Sequence, residues 1–219
     1  MTVKKRGGER MSDCERHKIM AIDREKRDRI INAAMKEFNK GYKNASTDAI
    51  VKEAGISKGL LFHYFGSKDK LLDFIIEYAI EVVVKEYFEL INFEQRDILE
   101  RIWQTVLLKF DLSYKYPMMF DFLTTAYKEN MNGVVLEMYG RVMSEFTPRF
   151  FSGIDESLFK DGIEPKMAMN VIYWTQVGYS HSQLEQIDST DIIDFQKEYE
   201  RYLSEIQSYF DLFRKIFYK

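Results

Sequence analysis

An all-α fold follows from three properties of the 219-residue sequence. Apolar residues recur at three- and four-residue steps over stretches long enough to be helices. Only three prolines occur, Pro117, Pro148 and Pro165, and Pro117 and Pro165 stand where helices can begin. No segment alternates apolar and polar residues with the period of a half-buried strand. At this length, a small module joined to a larger helical one is the expected organisation, with about nine helices in all.

The elements follow in order. Residues 1–23 are charged, with little apolar periodicity, and read as a disordered arm, a solvated tail in preference to one whose Lys4, Lys5 and Arg6 trail along a DNA groove. From Arg24 to Asn39, Ile30, Ile31, Ala34, Met35 and Phe38 form one apolar face, and Gly41 stands where a left-handed C-cap belongs. Ser46 caps a second helix of about two turns that runs through Ile50 and Ala54 to Gly55. Ser57 caps a third helix carrying Leu60, Leu61, Tyr64 and Phe65, and Gly66-Ser67 stops and recaps the chain. A long helix then runs from Ser67 to about Asn92. Further helices are expected over Glu94–Tyr114, Pro117–Lys128, Gly133–Phe151, Pro165–Ile187 and Asp191–Phe217. The resulting division is an arm over 1–23, a reading module over 24–70 and a larger domain over 71–219.

Charge is distributed unevenly. Residues 1–70 hold 17 Lys+Arg against 10 Asp+Glu, net +7, and residues 71–219 hold 15 against 25, net −10. A basic module on an acidic body suits polyphosphate, because the local field rather than the whole-chain charge recruits it. Cys14 is the sole cysteine, so one chain can form neither a disulfide nor a cysteine-based zinc site, and a reducing cytoplasm is the expected location. No secretory h-region or membrane-length apolar run is present. His17, His63 and His181 have no carboxylate or cysteine spacing that would make a catalytic or metal constellation, so no enzyme, metal or cofactor is expected.

The informative stretch is STDAIVKEAGISKGLLFHYFGSKDKLL, Ser46 to Leu72. It reads as two short helices around a glycine turn, the second presented outward at a size that fits the DNA major groove. The segment AGISKGLLFHYFGSKDKLL resembles the helix-turn-helix and following helix of the TetR family, at the family's spacing and over about a fifth of the chain. The resemblance implies a ligand-responsive transcriptional regulator, by family default a repressor, acting as a homodimer on pseudo-palindromic operator DNA. It implies further that Lys58, Gly59, Leu60 and His63 face the bases, with Phe62 on thymine methyls, while Ser46, Thr47, Tyr64 and Lys68 reach phosphates. His63 as a solvated surface histidine is the alternative. Asp48 departs from relatives that carry arginine there, and its carboxylate is expected to repel phosphate.

Residues 71–219 contain 14 Phe, 12 Tyr and 2 Trp, against five aromatics in residues 1–70. Core packing accounts for most of them, and the remainder suit a ligand cavity between helices. The family resemblance places that cavity near Trp103, Phe122, Met138, Tyr173 and Gln176. The net −10 favours an apolar or aromatic effector of neutral or cationic charge. Ile192, Phe195, Tyr199, Tyr202, Ile206, Tyr209, Phe213 and Phe217 lie on one face of the last helix, with Gly178 and Ser180 on the preceding one. The resemblance makes this pair a four-helix dimer interface. A helical protein-binding adaptor is the rival reading, and it needs no basic first module.

Overall fold

The computed structural model describes residues 13–129, 131, 133–184 and 192–219, without the side chains of 13–15, 133–136, 138, 139, 181, 183, 184 and 192–196. Ten α-helices are present among them: α1 (Asp13–Met20), α2 (Arg24–Phe38), α3 (Thr47–Ala54), α4 (Lys58–Phe65), α5 (Lys68–Glu86), α6 (Ile98–Lys115), α7 (Met119–Lys128), α8 (Gly133–Phe151), α9 (Pro165–Leu184) and α10 (Ile192–Phe217). The sole β-type pairing among the described residues is one bridge between Phe159 and Tyr218.

The tenth helix is α1, which corrects part of the expected arm over 1–23. Its own sequence gives little amphipathic drive, so tertiary contacts hold it. Ile19 and Ile22 are buried in the core, Arg16 pairs with Glu77 at 3.4 Å and with Glu81 on α5, and Arg27 donates to the Met20 carbonyl at 2.8 Å. Lys4, Lys5 and Arg6 lie outside the described residues.

Two helix boundaries differ from expectation for local reasons. α5 ends at Glu86 rather than near Asn92, because Tyr87 leaves helical dihedrals (φ −131°, ψ −68°) and a 3-10 turn, Phe88–Leu90, follows. α6 starts at Ile98 rather than Glu94, because the Asp97 carboxylate accepts from the Leu99 amide at 2.9 Å and caps the helix there.

The chain packs as two compact units. The first comprises the described residues of Met1–Leu90 and Leu108–Phe146, so α5, the end of α6, α7 and most of α8 share a unit with the segment 24–70. One hydrophobic core joins them. Phe122 of α7, fully buried, packs on Phe38 of α2 with ring centroids 6.5 Å apart. Burying such a ring stabilises by about 1.5–3 kcal/mol. Polar contacts fix the same interface: Thr125 donates to the Asn39 side chain at 2.8 Å, Asn32 donates to the Lys115 carbonyl at 3.3 Å, and the buried Tyr78 and Tyr116 hydroxyls meet at 2.7 Å.

The second unit comprises Ile91–Leu107 and Thr147–Lys219. Ile98, Ile102, Ile172, Ile206 and Phe210 form its core. Arg101, wholly buried, donates to the carbonyls of Phe93 (2.8 Å), Gln95 (2.9 Å), Phe150 (2.6 Å) and Ser152 (2.9 Å), which ties the turn before α6 to the end of α8. The carbonyl dipoles satisfy its fork of donors.

Candidate nucleic-acid interface

The site is built by three consecutive caps. The Ser46 hydroxyl accepts from the Ala49 amide at 3.3 Å, that of Ser57 from Leu60 at 3.2 Å, and that of Ser67 from Lys70 at 3.1 Å. Each hydroxyl keeps its own O–H for an outside acceptor. Between α3 and α4 the chain reverses at Gly55, whose left-handed φ of +67° is open to glycine at no steric cost. Arg29 of α2 donates to the Ala54 carbonyl at 3.3 Å and so closes the C-terminus of α3. Ile50, Ala54, Leu61 and Phe65 are buried, which anchors the inner faces of α3 and α4 and turns the first turn of α4 outward.

On that first turn Lys58 and Gly59 are exposed, Leu60 is half-buried, and His63 follows one turn later, exposed and edge-on to the Tyr64 ring at 5.5 Å. A Cβ added at Gly59 would meet nothing within 4 Å. No internal contact therefore requires glycine there, although glycine lowers helix stability by about 1 kcal/mol relative to alanine, and the residue leaves room for something outside the fold. Phe62 and Tyr64 are half-buried, as is Thr47 at the start of α3, while Ser46 is exposed. Ser46 and Thr47 thus lie at the start of α3 and Lys58, Gly59 and Leu60 at the start of α4, with His63 in the last turn of α4.

Two charged residues behave differently from the sequence reading. Lys68 donates to the carbonyls of Tyr42 and Ala45, both at 2.6 Å, and sits 4.4 Å from the Tyr42 ring centroid. Two of its three N–H groups are occupied by the loop between α2 and α3, which they hold, and one is left for another acceptor. Asp48 reaches Lys58 at 2.8 Å, so the carboxylate expected to repel phosphate is the ion-pair partner of the expected base donor.

Sequence reasoning missed Glu37. Its carboxylate, 3% exposed, accepts from the Ser46 amide at 3.1 Å and from Lys40, which pins the start of α3 to α2. Burial pushes its pKa up, but the Lys40 and Ser46 hydrogen bonds and the charges of Lys40 and Lys36 outweigh burial and hold it below the ordinary carboxylate value. An acidic residue in the middle of a polar helix face carries no sequence signal for such a role.

With this geometry in hand, residues 30–75 match the family described as bacterial regulatory proteins, tetR family. Over these residues the chain is similar to the TetR family. It is 35% identical over 81 residues to the HTH-type transcriptional regulator HbdR of Aromatoleum sp. (strain CIB), covering 35% of each chain. It is 31% identical over 91 residues to the nucleoid occlusion factor SlmA of Aliivibrio fischeri, covering 41% of this chain and 45% of that one. The match thus spans between about a third and a half of the length of these curated relatives. The fold is shared more widely. A TetR family transcriptional regulator from Chloroflexus aurantiacus aligns over 93% of this chain and 98% of its own, with TM-score 0.57 and 16% identity. The ketosteroid transcriptional regulator KstR2 of Mycobacterium tuberculosis aligns over 91% and 97%, with the same TM-score and identity.

The residues that the TetR resemblance pointed to as a ligand cavity divide between the two units. Phe122 belongs to the core of the first unit. In the second unit, Trp103 meets Phe210 edge-on at 6.0 Å, Tyr173 packs on Phe150 and Phe151, and Gln176 donates to Ser180 at 2.8 Å. The Met138 side chain lies outside the described residues. The apolar face of α10 also divides: Ile206, Phe210 and Phe213 are buried within the unit, whereas Tyr209, Leu212 and Ile216 are exposed. On α9, Met167, Val171, Trp174 and Val177 form an exposed stripe at helical spacing, with Trp174 66% exposed. Among the described residues, no helix is long and apolar enough to cross a membrane.

Proposed function

We propose that the chain is a ligand-responsive, DNA-binding transcriptional regulator of the TetR family, a cytoplasmic repressor that leaves a pseudo-palindromic operator when a small apolar or aromatic molecule binds the helices beyond α4. The observation that carries the reading is the outward face of α4, with Lys58 and Gly59 exposed on its first turn, His63 exposed on its last, and the capping serines Ser46 and Ser57 at the starts of α3 and α4. Lys58 donates to guanine O6 or N7, Gly59 admits close backbone approach, Leu60 and Phe62 meet thymine methyls, and His63 reads a neighbouring base edge. Ser46, Thr47 and Tyr64 donate to phosphates, and Lys68 contributes by fixing the loop that presents Ser46. The match of residues 30–75 to the tetR family, which includes the whole of α3 and α4, supports this reading.

A single head of two short helices binds few base pairs, so two copies are needed for an operator of useful specificity. The exposed stripe of α9, with Tyr209, Leu212 and Ile216 of α10, supplies a face for a second copy, and a homodimer places the heads about one DNA turn, roughly 34 Å, apart. Effector binding shifts the population between two head spacings; the Phe38–Phe122 contact is one mechanical link from the later helices to α2.

Selection of duplexes from a random pool, followed by anisotropy titration at several salt concentrations, tests the reading. The expected result is a two-fold related consensus bound with a steep salt dependence, and a relaxed preference at one position per half-site for His63→Ala. Indifference to every duplex at low ionic strength would refute it.

A further inference from the structure

Lys109, on the α6 segment of the first unit, is a half-buried cation without a matching acceptor. Its Nζ lies 5.1 Å from the centroid of the Phe120 ring, and among the described residues it makes no hydrogen bond or ion pair. A cation over a ring face gains about 0.5–2 kcal/mol, which leaves three charged N–H donors to be satisfied. Burial pushes the ammonium below the ordinary lysine range, offset in part by the charge of the exposed Asp121.

Phe120 is the end of a series of rings. Tyr87 meets it edge-on at 6.2 Å, Phe88 meets Tyr87 at 5.1 Å, and Phe146 of α8 meets Phe88 at 4.6 Å. All four rings and Lys109 are half-buried. The core rings of the same unit, Phe38, Phe65, Phe74 and Phe122, are buried to 2% exposure or less. Tyr87, Phe88 and Phe120 pack on the core with part of each ring accessible, Phe146 continues the series, and with Lys109 they form one half-buried wall that is both aromatic and cationic.

We propose that the wall of Tyr87, Phe88, Phe120 and Phe146 binds an apolar or aromatic small molecule through its body, and that Lys109 holds the carboxylate of that molecule. This rests on the ligand-responsive reading above and names the chemical class of its effector. The local ammonium, rather than the net −10 of residues 71–219, sets the sign of the ligand. The wall is also placed to act: Phe120 belongs to α7, and Phe122 and Thr125 of that helix hold Phe38 and Asn39 at the end of α2.

The full chain titrated calorimetrically with 3-phenylpropionate and, separately, with 3-phenylpropionamide tests this. The carboxylate is expected to bind about tenfold or more tightly than the amide, as a charge-assisted hydrogen bond to a half-buried ammonium requires. Lys109→Met removes that discrimination, Lys109→Arg preserves it, and Phe120→Ala weakens both ligands. Equal affinity for acid and amide, no heat from either, or discrimination surviving in Lys109→Met overturns the proposal. Should Lys109→Met fail to fold, Lys109→Gln, which keeps a polar head without charge, carries the same expectation. Duplex binding by the unliganded chain, measured in parallel, separates the two readings: retained DNA binding with failed probes counts against the wall alone.

Discussion

Lys58 and Lys68 look alike in sequence, each a lysine beside a serine at a helix start, but Lys68 is bonded to the loop between α2 and α3 whereas Lys58 is exposed and pairs with Asp48. Replacing Lys68 by methionine keeps most of the stem and removes two hydrogen bonds of 2.6 Å from a charged donor, together with the packing over the Tyr42 ring at 4.4 Å. Hydrogen bonds to charged groups contribute about 1.5–3 kcal/mol each, and the half-exposed position reduces this, so a loss of about 2–4 kcal/mol is expected. At about 2–4 °C per kcal/mol for a chain of this size, Tm should fall by about 4–16 °C. Lys58→Met removes an exposed ion pair to Asp48, worth at most about 1 kcal/mol, and should leave Tm nearly unchanged. Its effect belongs to DNA: the slope of log K against log salt should shrink by about 0.9 for each phosphate that the side chain no longer neutralises, or preference at one guanine should fall if the lysine reads a base. Thermal unfolding by circular dichroism and anisotropy titration at three salt concentrations separate the cases. If Lys68→Met melted with the wild type and lowered the salt slope, the assignment of Lys68 to the loop would be wrong.

Three further outcomes follow from the geometry. Asp48→Asn frees Lys58 and removes a negative charge facing phosphate, so affinity for all duplexes should rise by about two- to fivefold while the base preference at the Lys58 position loosens; weaker binding in competition titrations would contradict this. Glu37→Gln should destabilise by about 1–3 kcal/mol at neutral pH. Because its folded pKa lies below the ordinary 4.5, the wild-type advantage is fully present above that value and fades as pH falls through the folded one; a gap between the two denaturant curves that stays constant into acid would exclude the ionised role. Trp174→Asp, at a position 66% exposed, should leave the fold intact yet give a monomer in sedimentation and weaken operator binding; an unchanged mass would move the dimer face elsewhere.

Much of the α3–α4 segment was legible because its signals are local. Serine caps, a left-handed glycine and a three-to-four apolar period act within one or two helical turns, so Ser46, Gly55, Ser57 and Ser67 marked α3, α4 and the start of α5 directly. The starts of α8 and α9 at Gly133 and Pro165 were legible for the same reason. Glu37, Arg29 and Arg101 were not, since a carboxylate or guanidinium takes its role from carbonyls and amides far away in the chain. The aromatic excess beyond residue 70 was visible as composition, but composition does not say which rings seal a core and which stop half-buried beside Lys109.

The sequence by itself determined the helical class, the order of the later helices and the turn between α3 and α4, because each depends on neighbours within a few residues. Tertiary structure alone decided that Asp13–Met20 becomes a helix, that Lys68 serves a loop while Lys58 stays outside, and that Phe122 joins the core beneath α2. The physical reason is range: periodicity and caps are written in contiguous residues, whereas burial and charge pairing depend on which distant groups the folded chain brings within a few ångströms.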